Sequence, residues 1–172
     1  ALDVAVKTQL IKQNPADLVD TPKAKKYKPN IYDEKEFLTL LKTAEGTEHH
    51  IPILLAGGLG MRRGEIFGLK WRNVDFKNCK ISVTQQLIPT SKGLVYDDPK
   101  TYSGTRIIEV PKYIIDLLKK QKKRQKEYKI FYGPEYVEND LVCCKPNGEP
   151  VNPSTYSHRF ANFLKENGLK HI

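Results

Sequence analysis

The apolar residues of this chain change period near Trp71, and that change limits the folds open to it. Upstream they recur at helical spacing. Phe37, Leu38, Leu40, Leu41 and Ala44 mark one buried stripe, opened by an Asp33 and Glu36 capping pair, with Tyr32 placed to staple onto Phe37. A second apolar helix is expected from about Ile51 to Leu59, where Gly57 and Gly58 permit close packing and Gly60 turns the chain. A third carries Glu65, Ile66, Phe67 and Leu69 and ends near Trp71. Downstream the pattern alternates, in Lys80-Ile81-Ser82-Val83-Thr84 and again in Arg106-Ile107-Ile108-Glu109-Val110, with Leu94-Val95-Tyr96 between them. These segments predict a small antiparallel sheet of about three strands beside a mainly helical body, an α+β fold.

The flanks extend this plan. Residues 112–129 read as a strongly basic helix with Ile114, Ile115, Leu117 and Leu118 at its buried end. Leu141-Val142-Cys143-Cys144 reads as a short apolar strand, followed by a turn at Asn147-Gly148. The last helix takes Asn152 as cap and Pro153 as first residue, places Tyr156, Phe160, Phe163 and Leu164 on one face, and ends at Gly168. At the other end, a helical pattern over residues 1–13 breaks at Asn14-Pro15. A basic, proline-containing stretch from Thr21 to Pro29 then has the composition of a linker. The expected organisation is the final helix of an upstream domain over 1–20, a linker over 21–30, and a partial main domain over 31–172.

Charge narrows the class of partner. Twenty-nine Lys and Arg against 20 Asp and Glu give a net charge of +9, which favours a polyanion but does not separate DNA from RNA. The apolar runs are short, which predicts no membrane span. The N-terminus shows no basic flank leading into an apolar run, which predicts a cytoplasmic protein. The opening without Met suggests a processed or excised chain. Three cysteines without a Cys-x-x-Cys pair read as packing residues and argue against both a disulfide framework and a zinc site.

Two side chains stand out as candidate chemistry. Arg62 follows a glycine turn and lies three residues before Glu65, among apolar neighbours. The pair reads either as a surface ion pair worth a few tenths of a kcal/mol or as a partly buried guanidinium aimed at a phosphate. Lys100 lies beside a hairpin turn, where a lysine is either solvated or able to reach a nucleic-acid groove and donate a proton there.

The segment from Ala56 to Asp75, with Gly60-Met61-Arg62-Arg63-Gly64-Glu65, Ile66-Phe67, Leu69-Lys70-Trp71 and Asp75, resembles the first arginine box of the tyrosine recombinase (phage integrase) family. Pro99-Lys100-Thr101 with Ser103, and Arg106-Ile107-Ile108-Glu109-Val110-Pro111, resemble the family's lysine hairpin and its following strand. The first 20 residues resemble the end of its core-binding domain. The resemblance implies a tyrosine that attacks a DNA phosphodiester, a 3′-phosphotyrosine intermediate and a free 5′-hydroxyl, without metal or cofactor. It implies that Arg62 is the first phosphate-stabilising arginine, that Lys100 protonates the leaving 5′-oxygen, and that Glu65 supports Arg62. Further candidate DNA contacts are Lys23, Lys25, Lys26 and Lys28 in the linker, together with Arg63 and Arg106. The basic helix reads as a solvated outer face that adds long-range attraction.

The sequence also departs from the family pattern. No His-x-x-Arg follows His49, His50 or His158, and His171 stands too near the last residue to be assigned. None of the nine tyrosines, the last being Tyr156, matches the nucleophile. The expectation is an incomplete and inactive recombinase fragment, a monomer or weak dimer, whose full-length parent works as a tetramer on double-stranded DNA. The competing readings are a non-catalytic DNA-binding domain of the same fold and, fitting the Arg62 box less well, a type IB topoisomerase-like enzyme.

Overall fold

In the computed structural model, which describes residues 2–20, 30–97 and 105–172, the helices and strands follow the change of period. The N-terminal segment forms a short helix α1 (Leu2–Lys7) that buries none of its residues, then a 3-10 turn over Pro15–Leu18 capped by the Asn14 side chain. The helix is shorter than its apolar pattern suggests because Gln9 adopts a left-handed backbone, φ 58°, which ends the α-helical ladder.

Helix α2 (Glu34–Ala44) begins at the expected capping box, with the Glu36 amide donating to Asp33 Oδ1 at 2.8 Å and the Asp33 amide to Glu36 Oε2 at 2.9 Å. Leu40 and Ala44 are buried and Phe37 and Leu41 partly so, but Leu38 is exposed. It falls about 100° off the stripe, on the solvent side. Helix α3 (His50–Leu59) crosses α2 at Gly57, where a Cβ would stand 2.2 Å from the Phe37 ring. Its Gly58 meets Ile114 of α5 (Lys112–Tyr132) nearly as closely, at 3.2 Å. Both glycines thus act as the sequence suggests, by letting neighbours approach.

Helix α4 (Arg63–Gly68) is a short element laid on strand β3 (Gln86–Thr90). A Cβ on Gly68 would lie 2.9 Å from the Leu87 amide nitrogen, so the strand fits only against a glycine. The three-stranded antiparallel sheet is present, in the order β1 (Val74–Asp75), β2 (Lys80–Val83), β5 (Arg106–Glu109). Its membership differs from the expectation. Leu94-Val95-Tyr96 lies in β4 (Gly93–Asp97), which pairs with β3 as a separate two-stranded ribbon turning at Gly93. The alternating pattern marks a strand without naming its partner.

Segment 141–144 pairs only through isolated bridges, Lys70 with Leu141 and Cys144 with Pro150. It is held instead by the side chain of Gln125 in α5, which donates to the Leu141 and Val142 carbonyls at 3.2 and 2.9 Å and accepts from Trp71 Nε1 at 2.7 Å. The last helix, α6 (Pro153–Glu166), has Asn152 as its cap, and Gly168 lies in the left-handed region two residues beyond its end. The core runs between α3, α4, the inner faces of the strands, α5 and α6. It includes Leu54, Leu55, Phe67, Ile81, Leu87, Ile114, Leu118, Val142 and Tyr156. Cys143 is buried in it, as expected of a packing residue, while Cys79 and Cys144 are partly exposed. No helix among the described residues is long and apolar enough to cross a membrane.

Candidate functional site

The site begins with a turn. Helix α3 ends where Gly60 takes a left-handed backbone, φ 63°, and the amides of Gly60 and Met61 close on Ala56 and Leu55. Met61 then drops into the core, and the alternation sends the next side chain, Arg62, outward from the N-cap position of α4. One turn on, Glu65 points back beneath it, almost wholly buried.

The second contributor comes from the sheet. Arg106 lies opposite Val83 in the β2–β5 register, in phase with Ile108, so its side chain takes the inner face of the strand. It meets Glu65 in a two-bond fork, Nη1 to Oε1 and Nη2 to Oε2, each 2.7 Å. Arg62 donates to the same carboxylate from its backbone amide (2.8 Å to Oε2) and from Nη1 (3.1 Å to Oε1). Glu65 thus collects four N–H groups. The Arg106 hydrogen bonds foremost, then those from Arg62, outweigh the cost of burial and hold its carboxyl down at about 2. The carboxylate raises the Arg106 guanidinium in return.

The two arginines differ in exposure. Of the two readings the sequence leaves open for Arg62, a surface ion pair or a partly buried guanidinium, the structure shows the exposed pair, and the more buried guanidinium is that of Arg106. The side chain of Arg62 is 77% exposed and that of Arg106 33%. The reason is positional. Arg62 stands on the outer side of a helix start, while Arg106 springs from the core side of a strand. One anion against two cations leaves an excess positive charge there, carried outward by Arg62.

The other sequence candidates fall elsewhere. Arg63 turns to α6 and donates to Ser157 Oγ at 2.6 Å, away from the cluster. Lys100 and the linker lysines Lys23, Lys25, Lys26 and Lys28 lie outside the described residues. On the basic helix, Lys122 sits 5.3 Å over the rings of Trp71 and Phe76, Lys119 pairs with Asp116, and Lys129 with Glu138. Part of its charge is therefore engaged within the fold.

A groove of about 900 Å³ opens between α2, α3, α4 and α6. It is lined mostly by apolar side chains such as Phe37, Ile53 and Phe160, with Arg63 but none of the Glu65 cluster, so the two features are separate. Below it His49 is buried against Phe163, with Nδ1 3.2 Å from the Tyr156 hydroxyl; burial lowers the imidazole and raises the phenol, which keeps both neutral. Among the described residues no three or more His, Cys, Asp or Glu side chains are grouped to hold a metal ion.

Two buried-side polar groups are less legible in the sequence, Arg106 in the site and Gln125 in the fold beside it. Arg106 was named only as a possible DNA contact, although its alternation with Ile108 and Val110 marks the inner face. Gln125 was not singled out at all, although it continues the buried stripe of Ile114 and Leu118.

Comparisons with known proteins bear on the family and the fold. The sequence model of the phage integrase family matches residues 30–172. A tyrosine recombinase XerC-like protein of Caldanaerobacter subterraneus is 27% identical over 150 residues, covering 80% of this chain and 38% of that protein. The ICEBs1 integrase of Bacillus subtilis is 25% identical over 178 residues, 99% of this chain and 46% of its own. The chain therefore spans less than half the length of either relative. Among solved structures, the Tn1549 transposon integrase in complex with circular intermediate DNA superposes with a TM-score of 0.73 at 22% identity, over 97% of this chain and 56% of that one. A lambda integrase tetramer bound to a Holliday junction gives 0.61 at 17% identity, over 98% and 43%. These likenesses concern the fold, and they match the α+β architecture described above. With more than half of its residues matched by the family model, the chain belongs to the phage integrase family.

Proposed function

From that membership, we propose that this chain carries part of the site of a site-specific DNA recombinase or integrase, which cuts and rejoins strands through a 3′-phosphotyrosine. Arg62 is the first arginine of the site, binding a non-bridging oxygen of the scissile phosphate and stabilising the charge that develops there. Glu65 supports it. Lys100 donates the proton to the leaving 5′-oxygen. The lysines of the linker, and Arg63, add backbone contacts that position without reading sequence. Residues 1–20 close a core-binding domain, 21–30 link it, and 31–172 belong to the catalytic domain. The substrate is double-stranded DNA, the working assembly a homotetramer and the compartment the cytoplasm.

One observation carries the reading. Arg62 presents a guanidinium largely to solvent while a buried, ionised Glu65 fixes its base. A guanidinium held at one nitrogen keeps its other N–H groups for two oxygens of a phosphate. The DNA complexes of the Tn1549 and lambda integrases support the choice of ligand. Because no His-x-x-Arg occurs in these 172 residues, the chain alone is proposed to bind DNA without cleaving it.

The test is covalent trapping. Residues 1–172 joined to a C-terminal segment from a family member chosen because its sequence carries a His-x-x-Arg and a following tyrosine should form a protein–DNA adduct on a suicide substrate. Arg62→Ala and Lys100→Ala should each slow the adduct by at least about a hundredfold, the usual cost of removing an electrostatic or proton-transfer group. An adduct that forms as fast with Arg62→Ala as without it would overturn the assignment.

A further inference from the structure

We propose that Arg106 is a positioning residue: its two-bond fork on Glu65 fixes the carboxylate that aims Arg62, and it does not itself hold the DNA. This rests on the reading of Arg62 as a phosphate ligand, and it changes the part that the sequence suggested for Arg106.

The geometry divides the labour. Glu65 is buried and offers two oxygens, and Arg106 takes one with each terminal nitrogen at 2.7 Å. Arg62 reaches only Oε1 with its side chain, at 3.1 Å, over a guanidinium more than twice as exposed. Arg62 also touches both oxygens, Oε2 through its backbone amide and Oε1 through its side chain, but the side-chain bond is the longer and comes from an exposed, movable guanidinium. The planar fork adds two 2.7 Å bonds from the core side, which stiffen the carboxylate and give the Arg62 side-chain contact a fixed direction. The backbone amide of Arg62 binds the same carboxylate, so one anion orders both the start of α4 and the side chain that leaves it. Arg106 reaches this place because β5 is paired to β2 in a register that puts it opposite Val83, on the inner face. The sheet thereby braces the arginine box from outside the box.

Arg106 also sets the charge of the cluster. If the cluster lacked Arg106, a buried carboxylate would neutralise most of the Arg62 charge, and a phosphate would face a balanced pair. With Arg106 present, Glu65 is matched by one cation and the second remains in excess for the ligand. Arg106 therefore acts through the carboxylate in two ways, by fixing it and by compensating it.

The test uses the 172-residue chain and a duplex oligonucleotide, with affinity followed against salt by fluorescence anisotropy, and circular dichroism confirming the fold of each variant. Arg62→Ala should remove one phosphate contact, lowering the salt slope by about one and costing affinity about threefold more at 50 than at 200 mM salt. Arg106→Gln should produce the same loss, and adding Arg62→Ala to it should change little. Arg106→Lys, which keeps the charge but cannot make the fork, should restore binding only in part. A direct phosphate contact by Arg106 predicts instead that the two losses add and that Arg106→Lys binds well; either result overturns the proposal. Side-chain NMR separates this from the fate of Arg62 as a ligand. In Arg106→Gln the Glu65 carboxyl should titrate at higher pH and the Arg62 guanidinium signal should sharpen with new mobility, whether or not DNA binding depends on Arg62. If Arg62→Ala leaves binding intact, the reading of Arg62 falls. If neither NMR signal moves in Arg106→Gln, the positioning role falls, whatever the binding data give.

Discussion

Two buried side chains, Glu65 and Gln125, do comparable work in different places. Each collects hydrogen bonds from segments far apart in sequence: Glu65 joins α4 to β5, and Gln125 joins α5 to Trp71 and the 141–142 segment. The difference lies in what remains after the internal bonds are made. The neutral amide of Gln125 spends its donors and acceptor on groups that are themselves enclosed, which yields structure alone. The ionised carboxylate of Glu65 gathers two cations, one of which faces solvent with unused donors. A charged hub near the surface leaves an unspent charge for a ligand, whereas a satisfied neutral hub leaves nothing.

The comparison is tested most strongly at Gln125. Gln125→Leu keeps the volume but leaves the Trp71 indole N–H and the Leu141 carbonyl without their partner, and the Val142 carbonyl with only a long 3.4 Å bond from Gln121. At about 1–3 kcal/mol for each unsatisfied group, partly relieved by relaxation, the loss should be about 3–4 kcal/mol. Urea denaturation measures it, and a variant as stable as the parent would show that the hub is not structural. The DNA affinity of the folded fraction should stay unchanged.

A smaller and pH-dependent loss is expected at Glu65. Its folded carboxyl titrates near 2, below the ordinary value of 4.5, so its contribution is complete above about 4.5 and disappears as pH falls through 2. At neutral pH the contribution is on the order of 3 kcal/mol. Glu65→Gln should therefore destabilise the protein by about that amount at pH 7, with the gap to the parent closing as denaturation is repeated from pH 5 to pH 2. A gap that is constant with pH would mean that the arginines do not hold the carboxylate ionised.

How these hubs read in the sequence follows from their physics. Arg62 and Glu65 lie three residues apart, so their meeting is a local matter of helix geometry, visible without a fold. The fork from Arg106 crosses 41 residues, and only the β2–β5 register delivers it. The alternation of Arg106, Ile108 and Val110 was legible, and it marked the inner face, but it could not say what lay opposite. The pairing of β3 with β4 was missed for the same reason: strand pattern is local and partner choice is not. Helix ends, by contrast, were legible at Asp33, Gly60 and Asn152, where one residue type meets one backbone need. The exposure of Arg62 stays open in the sequence because apolar neighbours along the chain need not be neighbours in space. Met61, Ile66 and Phe67 point inward, and Arg62 lies between their directions.

That exposure leads to the smallest predicted change in stability and the clearest separation of the two hubs. Arg62 makes one long side-chain bond from a mostly solvated position, so Arg62→Ala should shift the urea midpoint by the equivalent of no more than about 0.5–1 kcal/mol. Its backbone amide still donates to Glu65, because that bond does not involve the side chain. Arg106 still satisfies both carboxylate oxygens, so no buried group is left without a partner. Yet the same substitution removes the cation that reaches out of the cluster, and DNA affinity should fall with a loss of about one unit of salt slope. A near-silent effect on folding beside a measurable effect on binding is the signature of a presented side chain. If Arg62→Ala instead destabilised the fold as much as Gln125→Leu, Arg62 would be a structural bond like those of Gln125, and the contrast between the two hubs would disappear.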